Sequence, residues 1–597
     1  MISGMGIRVG HVPAIDGLRA VAVLAVIAYH AGLPVPGGFV GVDVFFVISG
    51  YLITRLLHDE LQQSGRIDFI DFYARRARRI LPAIAVVIVA TLGLGAILLP
   101  PLEAMQAGKA AAASFAFAAN IHFAMAPTGY FDGDIHGNPL LHLWSLGVEE
   151  QFYLAWPLIL LMARRRPFLV LSLLAAASFV LAEWLVASGR DQVAFFHTPF
   201  RAWELAIGGL LAIRRPRVPG WVGYLGVVVV VAACGIGFRH FPGAGAVPAV
   251  LGAAMVIAAA GAGQRIRMLE VQPMVWVGLV SYSLYLWHWP VMVLGGGMPA
   301  WSKLVLTFLL AAGSYYFVER PFRQGWRVSA RATVAVAAAA VVVGLSGSVA
   351  TARHYEAIED QGNQLFRAVA DARLPLPAGC DEWYHSDTVK PCVFGPDSAA
   401  RTAVLAGDSV AAQWFGAFRS IFEDAGWRFI VVTKSSCPMV DSPTFLKAID
   451  RTYTECQVWR SRFLDWVDLE RPDLVIISSS NAYGFSGEQW QEGSRSVLER
   501  LAGAGGRVVL LRSPPILSPG GNDPLDEVHR WQSEAAGGLS SVRVVDMNPL
   551  ICPAGNCPRQ VNGITTYRDR RHLTPVFVES LAPALLEKIG VEPLPGG

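Results

Sequence analysis

The sequence predicts a multi-pass α-helical membrane bundle of about 11 spans plus one re-entrant segment, followed by an α/β three-layer domain with a parallel sheet. Three observations carry that prediction. The 597 residues are 53% hydrophobic and only 16% charged, too apolar for an ordinary soluble protein. Long apolar runs fill the first half and stop near Val349. From about Arg353 onward charged residues return, apolar runs shorten to strand length, and six of the seven cysteines occur.

Hydropathy places candidate spans at 18–33, 39–57, 80–99, 143–162, 168–186, 200–213, 222–238, 247–262, 274–294, 304–318 and 333–349. The stretch 110–123 is also apolar, but the arginines argue against a crossing there. Arg75, Arg76, Arg78 and Arg79 follow the second span, and Arg164, Arg165 and Arg166 follow 143–162. Positive-inside bias puts both clusters in the cytoplasm, which requires an even number of crossings between them. The stretch 110–123 is therefore expected to be re-entrant or interfacial, with protein rather than lipid around it. Eleven crossings from a cytoplasmic N-terminus leave everything after Val349 outside. The expected division is a membrane domain over 1–330, one further transmembrane helix at 331–350, a linker or extension at 351–400, and an external domain over 401–597. No cleavable leader is expected before Leu18.

Cysteine usage agrees with an external C-terminal half. Cys380, Cys392, Cys437, Cys456, Cys552 and Cys557 form an even set suited to an oxidising compartment, whereas Cys234 lies alone within a span. Their spacing does not settle the connectivity; nearest-neighbour pairing is the simplest choice. No spacing resembles a zinc site, so no metal is expected. The net charge is +3 with no clustered basic tail, which gives no reason to expect nucleic acid.

The apolar helices carry His30, Asp43, Glu149, Glu150, Arg201, Glu204 and His288. An ionisable group at mid-membrane costs at least ~2.5 to 3.5 kcal/mol on insertion scales, so such a set calls for a purpose. Helix rise places His30, Asp43 and Glu204 about 5 to 8 Å below the outer ends of their helices and Glu149 and His288 near 10 Å. The expectation is one reactive layer in the outer half of the bilayer; interhelical hydrogen bonding is the structural alternative for any single member. Arg19 lies eleven positions before His30, ~16 Å along one helix, so one end of that helix can meet a cytoplasmic anion while the other reaches outward. Arg75, Arg76, Arg78 and Arg79 add guanidinium groups suited to bidentate capture of phosphate, or serve only as a topology signal.

The blocks Ile15-Asp16-Gly17-Leu18-Arg19-Ala20 with Tyr29-His30, Gly41-Val42-Asp43-Val44-Phe45-Phe46, and Leu143-Trp144-Ser145-Leu146-Gly147-Val148-Glu149-Glu150-Gln151-Phe152-Tyr153 resemble the acyltransferase-3 family of membrane acyltransferases. Tyr282-Ser283-Leu284-Tyr285-Leu286-Trp287-His288 and Glu319-Arg320-Pro321 fit it too. The resemblance implies transfer of an acyl group, commonly acetyl from cytoplasmic acetyl-CoA, onto a glycan hydroxyl outside. It implies His30 as the essential histidine, Arg19, Arg75, Arg76, Arg78 and Arg79 near the donor, and no permanently bound cofactor. An imidazole can take the proton of an attacking hydroxyl, or carry the acyl group itself. Glu149, Glu150 or Asp43 is expected to orient that imidazole as a triad acid does, with Arg201, Glu204, Tyr285 and His288 completing the membrane site.

In the second half, Thr402-Ala403-Val404-Leu405-Ala406-Gly407-Asp408-Ser409 reads as a short strand, a tight turn and a helix start, which exposes Ser409 at a sheet edge with its own N–H turned to an oxyanion. Asp569 and His572, three positions apart, can complete a Ser-His-Asp set. This half resembles the SGNH hydrolase family over roughly 401–589, which implies Ser409 as nucleophile, His572 as base and Asp569 as its orienting acid. The middle blocks depart from that family. Ser478-Ser479-Ser480-Asn481-Ala482 stands where Gly-x-Asn-Asp is expected, leaving Asn481 as the side-chain oxyanion donor beside Ser409, and Lys434-Ser435-Ser436-Cys437-Pro438 replaces a glycine-bearing block. Fusions of these two families are common among bacterial surface glycan acetylases. The expected partners are acetyl-CoA, a surface polysaccharide or lipid-linked glycan, and the lipids of a bacterial inner membrane. A glycan or lipid transporter with a periplasmic esterase or glycan-binding domain is the alternative, since carriers also hold midmembrane charge.

Overall fold

The computed structural model describes residues 12–125, 137–238, 241–324, 328–369, 376–377, 379–382, 386–446, 451–517, 525–555, 557–558 and 560–591. The chain separates into two compact units, Met1–Leu98 with Gln106–Ala352, and Leu99–Met105 with Arg353–Gly597.

The N-terminal half is helical. In chain order its helices are α1 Pro13–His30, α2 Gly41–Ser64, α3 Phe69–Leu98, α4 Pro101–Phe115 and α5 Ala119–Ala124. There follow α6 Leu143–Met162, α7 Pro167–Ala187, α8 Asp191–Phe196, α9 Thr198–Arg214 and α10 Gly220–Cys234. The series ends with α11 Val247–Gly261, α12 Gln272–Leu294, α13 Ala300–Ser314, α14 Arg320–Gln324 and α15 Ala330–Val369. Among the described residues, 8 helices are long and apolar enough to cross a membrane. The three expected spans outside that set have local reasons. Helices α9 and α10 run only 17 and 15 residues, and α6 carries Glu149, Glu150 and Gln151 in its middle. The stretch expected to be re-entrant is a helix, α4, which stops at Phe115; Phe117 at φ 52° turns the chain before α5. Polar residues join that turn to its neighbours: Gln151 donates to the Phe117 carbonyl at 2.9 Å, and Asn120 to the Phe196 carbonyl at 3.1 Å.

Without a hydrophobic drive between helices in lipid, small residues that admit close backbone approach decide which faces meet. On α12, a Cβ at Gly278 would lie 1.9 Å from the Asp16 carbonyl oxygen, so α1 and α12 touch there backbone to backbone. That crossing runs the two helices together toward His30 and His288. Across the expected boundary between a 331–350 span and a linker or extension at 351–400 the chain stays helical: one helix of 40 residues, α15, runs to Val369, because leaving lipid changes composition without removing helix propensity. Positions 370–375, 378 and 383–385 of that linker lie outside the described residues.

The C-terminal half is an α/β domain. Its sheet has strands β1 Asp381–Glu382, β2 Cys392–Phe394, β3 Thr402–Gly407, β4 Arg428–Lys434, β5 Leu474–Ser478, β6 Arg507–Leu511 and β7 Val542–Val545. The order is β1-β4-β3-β5-β6-β7, all parallel, with β2 antiparallel on β4. Alternation along the central strands feeds two cores. Ala403, Leu405, Phe429 and Val431 face one helical layer, and Val404, Ala406, Ile430 and Val432 face the other. Disulfides join Cys380 to Cys392, Cys437 to Cys456 and Cys552 to Cys557.

Candidate active sites

In the sheet, β4 lies on one side of β3 and β5 on the other, so the crevice at their carboxyl ends is a topological switch point, where open α/β sheets bind ligands. Register pairs Gly407 with Ser478 there. Gly407 takes φ +143°, and a Cβ on it would sit 1.9 Å from the Ser478 carbonyl, so only glycine lets β3 turn this tightly against β5. The turn delivers Ser409 as the first residue of α16 Ser409–Ala412, capped by Asp408, whose Oδ1 accepts from the Val410 N–H at 2.8 Å.

His572 Nε2 lies 2.9 Å from Ser409 Oγ, and its Nδ1 lies 2.9 Å from Asp569 Oδ2. The three residues expected from sequence thus meet in hydrogen-bonding order. Asp569 also accepts from the backbone N–H groups of Arg571 at 2.7 Å and His572 at 2.8 Å. Burial pushes its pKa up, but the bond from His572, the imidazole charge and these two N–H groups outweigh burial and hold it below the usual aspartate range. Asp569 therefore stays ionised and fixes Nδ1–H on His572, leaving Nε2 to accept the serine proton.

Asn481 is buried on the loop after β5, at the edge that bears Ser409. Sequence reasoning missed what clamps this loop. Asp408 Oδ2 accepts from the Ser480 N–H at 2.9 Å and the Tyr483 hydroxyl at 2.8 Å. Burial lifts the Asp408 pKa above its ordinary value even though three donors serve it. The Ser479 hydroxyl accepts from the Met439 N–H at 2.8 Å, tying the departed block to the loop after β4.

In the membrane half the charges and imidazoles sort into separate bonded groups. His30 and His288 meet ring to ring, with Nδ1 of His30 3.1 Å from Nε2 of His288. His288 Nδ1 lies 2.6 Å from the Tyr285 carbonyl oxygen, an acceptor only, so Nδ1 carries the proton and Nε2 accepts. His30 must then donate from Nδ1, and its basic lone pair sits on Nε2. Among the described residues His288 is a partner of His30, whereas Asp43 and Glu149 bond elsewhere, to Arg201 and Ser49.

Asp43 instead joins Arg201 and Glu204. Arg201 donates to Asp43 at 2.6 Å and pairs with Glu204 at 2.9 Å, with its guanidinium 5.4 to 5.7 Å from the rings of Phe46, Trp144, Phe195 and Phe241. This buried, desolvated triad ties α2 to α9 and is a structural unit of the bundle.

Glu149 accepts from Ser49 at 2.5 Å and lines a cavity with Arg19, Arg76, Arg79, Ser145 and Tyr285. Glu150 does not line it. Of the five arginines expected near a donor, Arg75 is paired with Asp71 and Arg78 donates to the Val328 carbonyl at 2.7 Å and to Thr333 at 2.9 Å. Three guanidinium groups thus line the cavity together with Tyr285, whose carbonyl oxygen is 2.6 Å from His288 Nδ1.

Sequence comparison fits both halves. The acyltransferase domain family, Acyl_transf_3, matches residues 12–309, and the SGNH domain found fused to such domains matches 379–587. The chain belongs to the acyltransferase-3 family and carries a fused SGNH domain; it is a multi-pass membrane protein. Among curated proteins it is similar to YrhL of Bacillus subtilis, 35% identical over 54% of this chain and 56% of that one. It is also similar to the peptidoglycan O-acetyltransferase OatA of Listeria monocytogenes, 33% identical over 53% and 56%, and to the O-acetyltransferase OatA of Staphylococcus aureus, 32% identical over 53% and 57%. The chain thus spans little more than half the length of these relatives. The solved periplasmic domain of a lipopolysaccharide acetyltransferase from Salmonella ser. Paratyphi A aligns at 17% identity over 32% of this chain and 82% of that one, with a TM-score of 0.26.

Proposed function

We propose that the protein is an O-acyltransferase that moves an acetyl group from cytoplasmic acetyl-CoA to hydroxyls of an extracytoplasmic glycan. The observation that carries this reading is the cavity whose lining runs from Arg19, Arg76 and Arg79 to Tyr285, against His288 and hence His30. Guanidinium groups suit the phosphates of the donor, and the apolar side chains lining the same cavity, Val42, Phe45 and Leu52 among them, suit its thioester arm. His30 Nε2 takes the proton of the attacking hydroxyl, and His288 holds the ring in the tautomer that allows it.

The SGNH half receives or positions the glycan. Ser409, His572 and Asp569 support an acyl-serine step, with the Ser409 N–H and Asn481 at the oxyanion. The names of the OatA relatives favour peptidoglycan as acceptor; lipopolysaccharide or another surface polysaccharide offers the same hydroxyl chemistry. The arginine clusters and the cysteine pairs favour an inner-membrane protein with a cytoplasmic N-terminus and a periplasmic C-terminal domain.

Two variants test this. With labelled acetyl-CoA and an oligosaccharide acceptor, His30→Ala is expected to leave the thioester intact, and Ser409→Ala to cut glycan labelling by at least ~10³-fold. Wild-type glycan labelling in His30→Ala would end the assignment.

A further inference from the structure

The turn from Asp569 to His572 carries both the acid and the base of the serine site, so whatever fixes its backbone fixes the imidazole. Several of its bonds are local. The Arg568 N–H donates to the His572 carbonyl at 2.8 Å, and the Arg571 and His572 N–H groups donate to Asp569 Oδ1 at 2.7 and 2.8 Å. The Arg570 carbonyl accepts from the Leu517 N–H at 2.8 Å, and the Leu573 N–H donates to Gln413 Oε1 at 2.8 Å.

Arg570, in the middle of the turn, has its partner on a distant stretch of chain. Its Nε donates to Glu103 Oε2 at 3.0 Å, and its backbone N–H donates to the same carboxylate. Glu103 stands in the first turn of α4, 467 positions away, within Leu99–Met105, which packs as part of the α/β unit. It belongs to none of the blocks singled out in the sequence. The side chains of Arg570 and Glu103 are only 26% and 14% exposed, and Arg570 Nη2 is buried with no partner among the described residues. An exposed ion pair contributes little, but here a half-buried carboxylate takes charge-assisted bonds from both the side chain and the backbone of the residue that follows Asp569.

We propose that Glu103 is a positioning residue of the serine site: through Arg570 it holds the 569–572 turn so that His572 keeps Nδ1 on Asp569 and Nε2 on Ser409. The inference rests on the acyl-serine reading above. Glu103 takes up no proton in the reaction and acts through the imidazole. Without its carboxylate the Arg570 guanidinium loses its acceptor and the turn loses two anchors, which frees the ring to leave the line from Asp569 to Ser409. Misplacement of a reacting group by about 1 Å is worth up to ~10² in rate.

The test uses full-length protein in proteoliposomes. Serine sites are counted by end-point labelling with a fluorophosphonate, and turnover is read on a small acetyl ester. Glu103→Ala is expected to lower kcat per labelled site ~10- to 100-fold with KM changed less than about threefold. Glu103→Gln keeps an oxygen for the two N–H donors and is expected to stay within about fivefold of wild type. Arg570→Met keeps the backbone bond and is expected to lose ~3- to 10-fold, and it decides the matter if Glu103→Ala yields no labelled sites. The double variant should lose no more than about threefold beyond Glu103→Ala, because both changes act through one contact. A kcat per labelled site within about threefold of wild type in Glu103→Ala overturns the proposal, even where the number of sites falls, and makes the pair a structural tie. Losses that multiply in the double variant, or a Glu103→Gln as impaired as Glu103→Ala, overturn it as well. Wild-type protein that the fluorophosphonate does not label at Ser409 fails the acyl-serine reading itself and takes the proposal with it.

Discussion

Two histidines in this protein depend on which nitrogen holds the proton. In the SGNH half the answer comes from Asp569, 2.9 Å from Nδ1 of His572. Asp569→Asn keeps the shape but allows the opposite tautomer, so esterase turnover on a small acetyl ester is expected to fall ~10²- to 10⁴-fold with little change in KM. The pKa of Asp569 is depressed in the fold, so its stabilising contribution is present above the ordinary aspartate pKa of about 3.9 and is lost as pH falls through the lower folded value. Wild type should therefore show an acid-side loss of stability below about pH 4 that is reduced in Asp569→Asn, measured as Tm against pH. This half of the site was legible in the chain because Asp569 and His572 are three positions apart and Ser409 sits in a recognisable strand–turn–helix block. The His30–His288 pair was not legible. Its members are 258 positions apart, and hydropathy gives a residue's depth in a helix but not the direction it faces, so Asp43 and Glu149 looked equivalent to His288.

At the level of elements, the α1–α12 crossing is what makes the imidazole pair. Gly278→Leu must push α12 from Asp16, where a bare Cβ already lies 1.9 Å from a backbone oxygen. Overpacking of this kind costs about 1 to 3 kcal/mol or more. The expected result is loss of acetyl transfer, while the Ser409 esterase activity of the same preparation on a small ester is kept. Equal loss of both activities would contradict a local effect on the crossing. The apolar helices and a parallel sheet alternating with helices followed readily from apolar patterning, but the order of the strands did not. The end of α15 did not, since Ala, Val and Arg are acceptable to a helix on either side of Ala352.

For the whole molecule, the chemistry is divided between two units. One is an apolar bundle with a lined cavity and imidazoles, and the other is a disulfide-bearing α/β domain with a serine at its switch point. On the proposed reading the bundle holds the acyl donor, and the α/β domain receives or positions the glycan. The most direct test seals labelled acetyl-CoA on the arginine side of oriented proteoliposomes and offers oligosaccharide only on the cysteine-bearing side. Label on the oligosaccharide in wild type, lost in His30→Ala, is the expected result. Transfer that occurs only when donor and acceptor share one compartment would contradict the account.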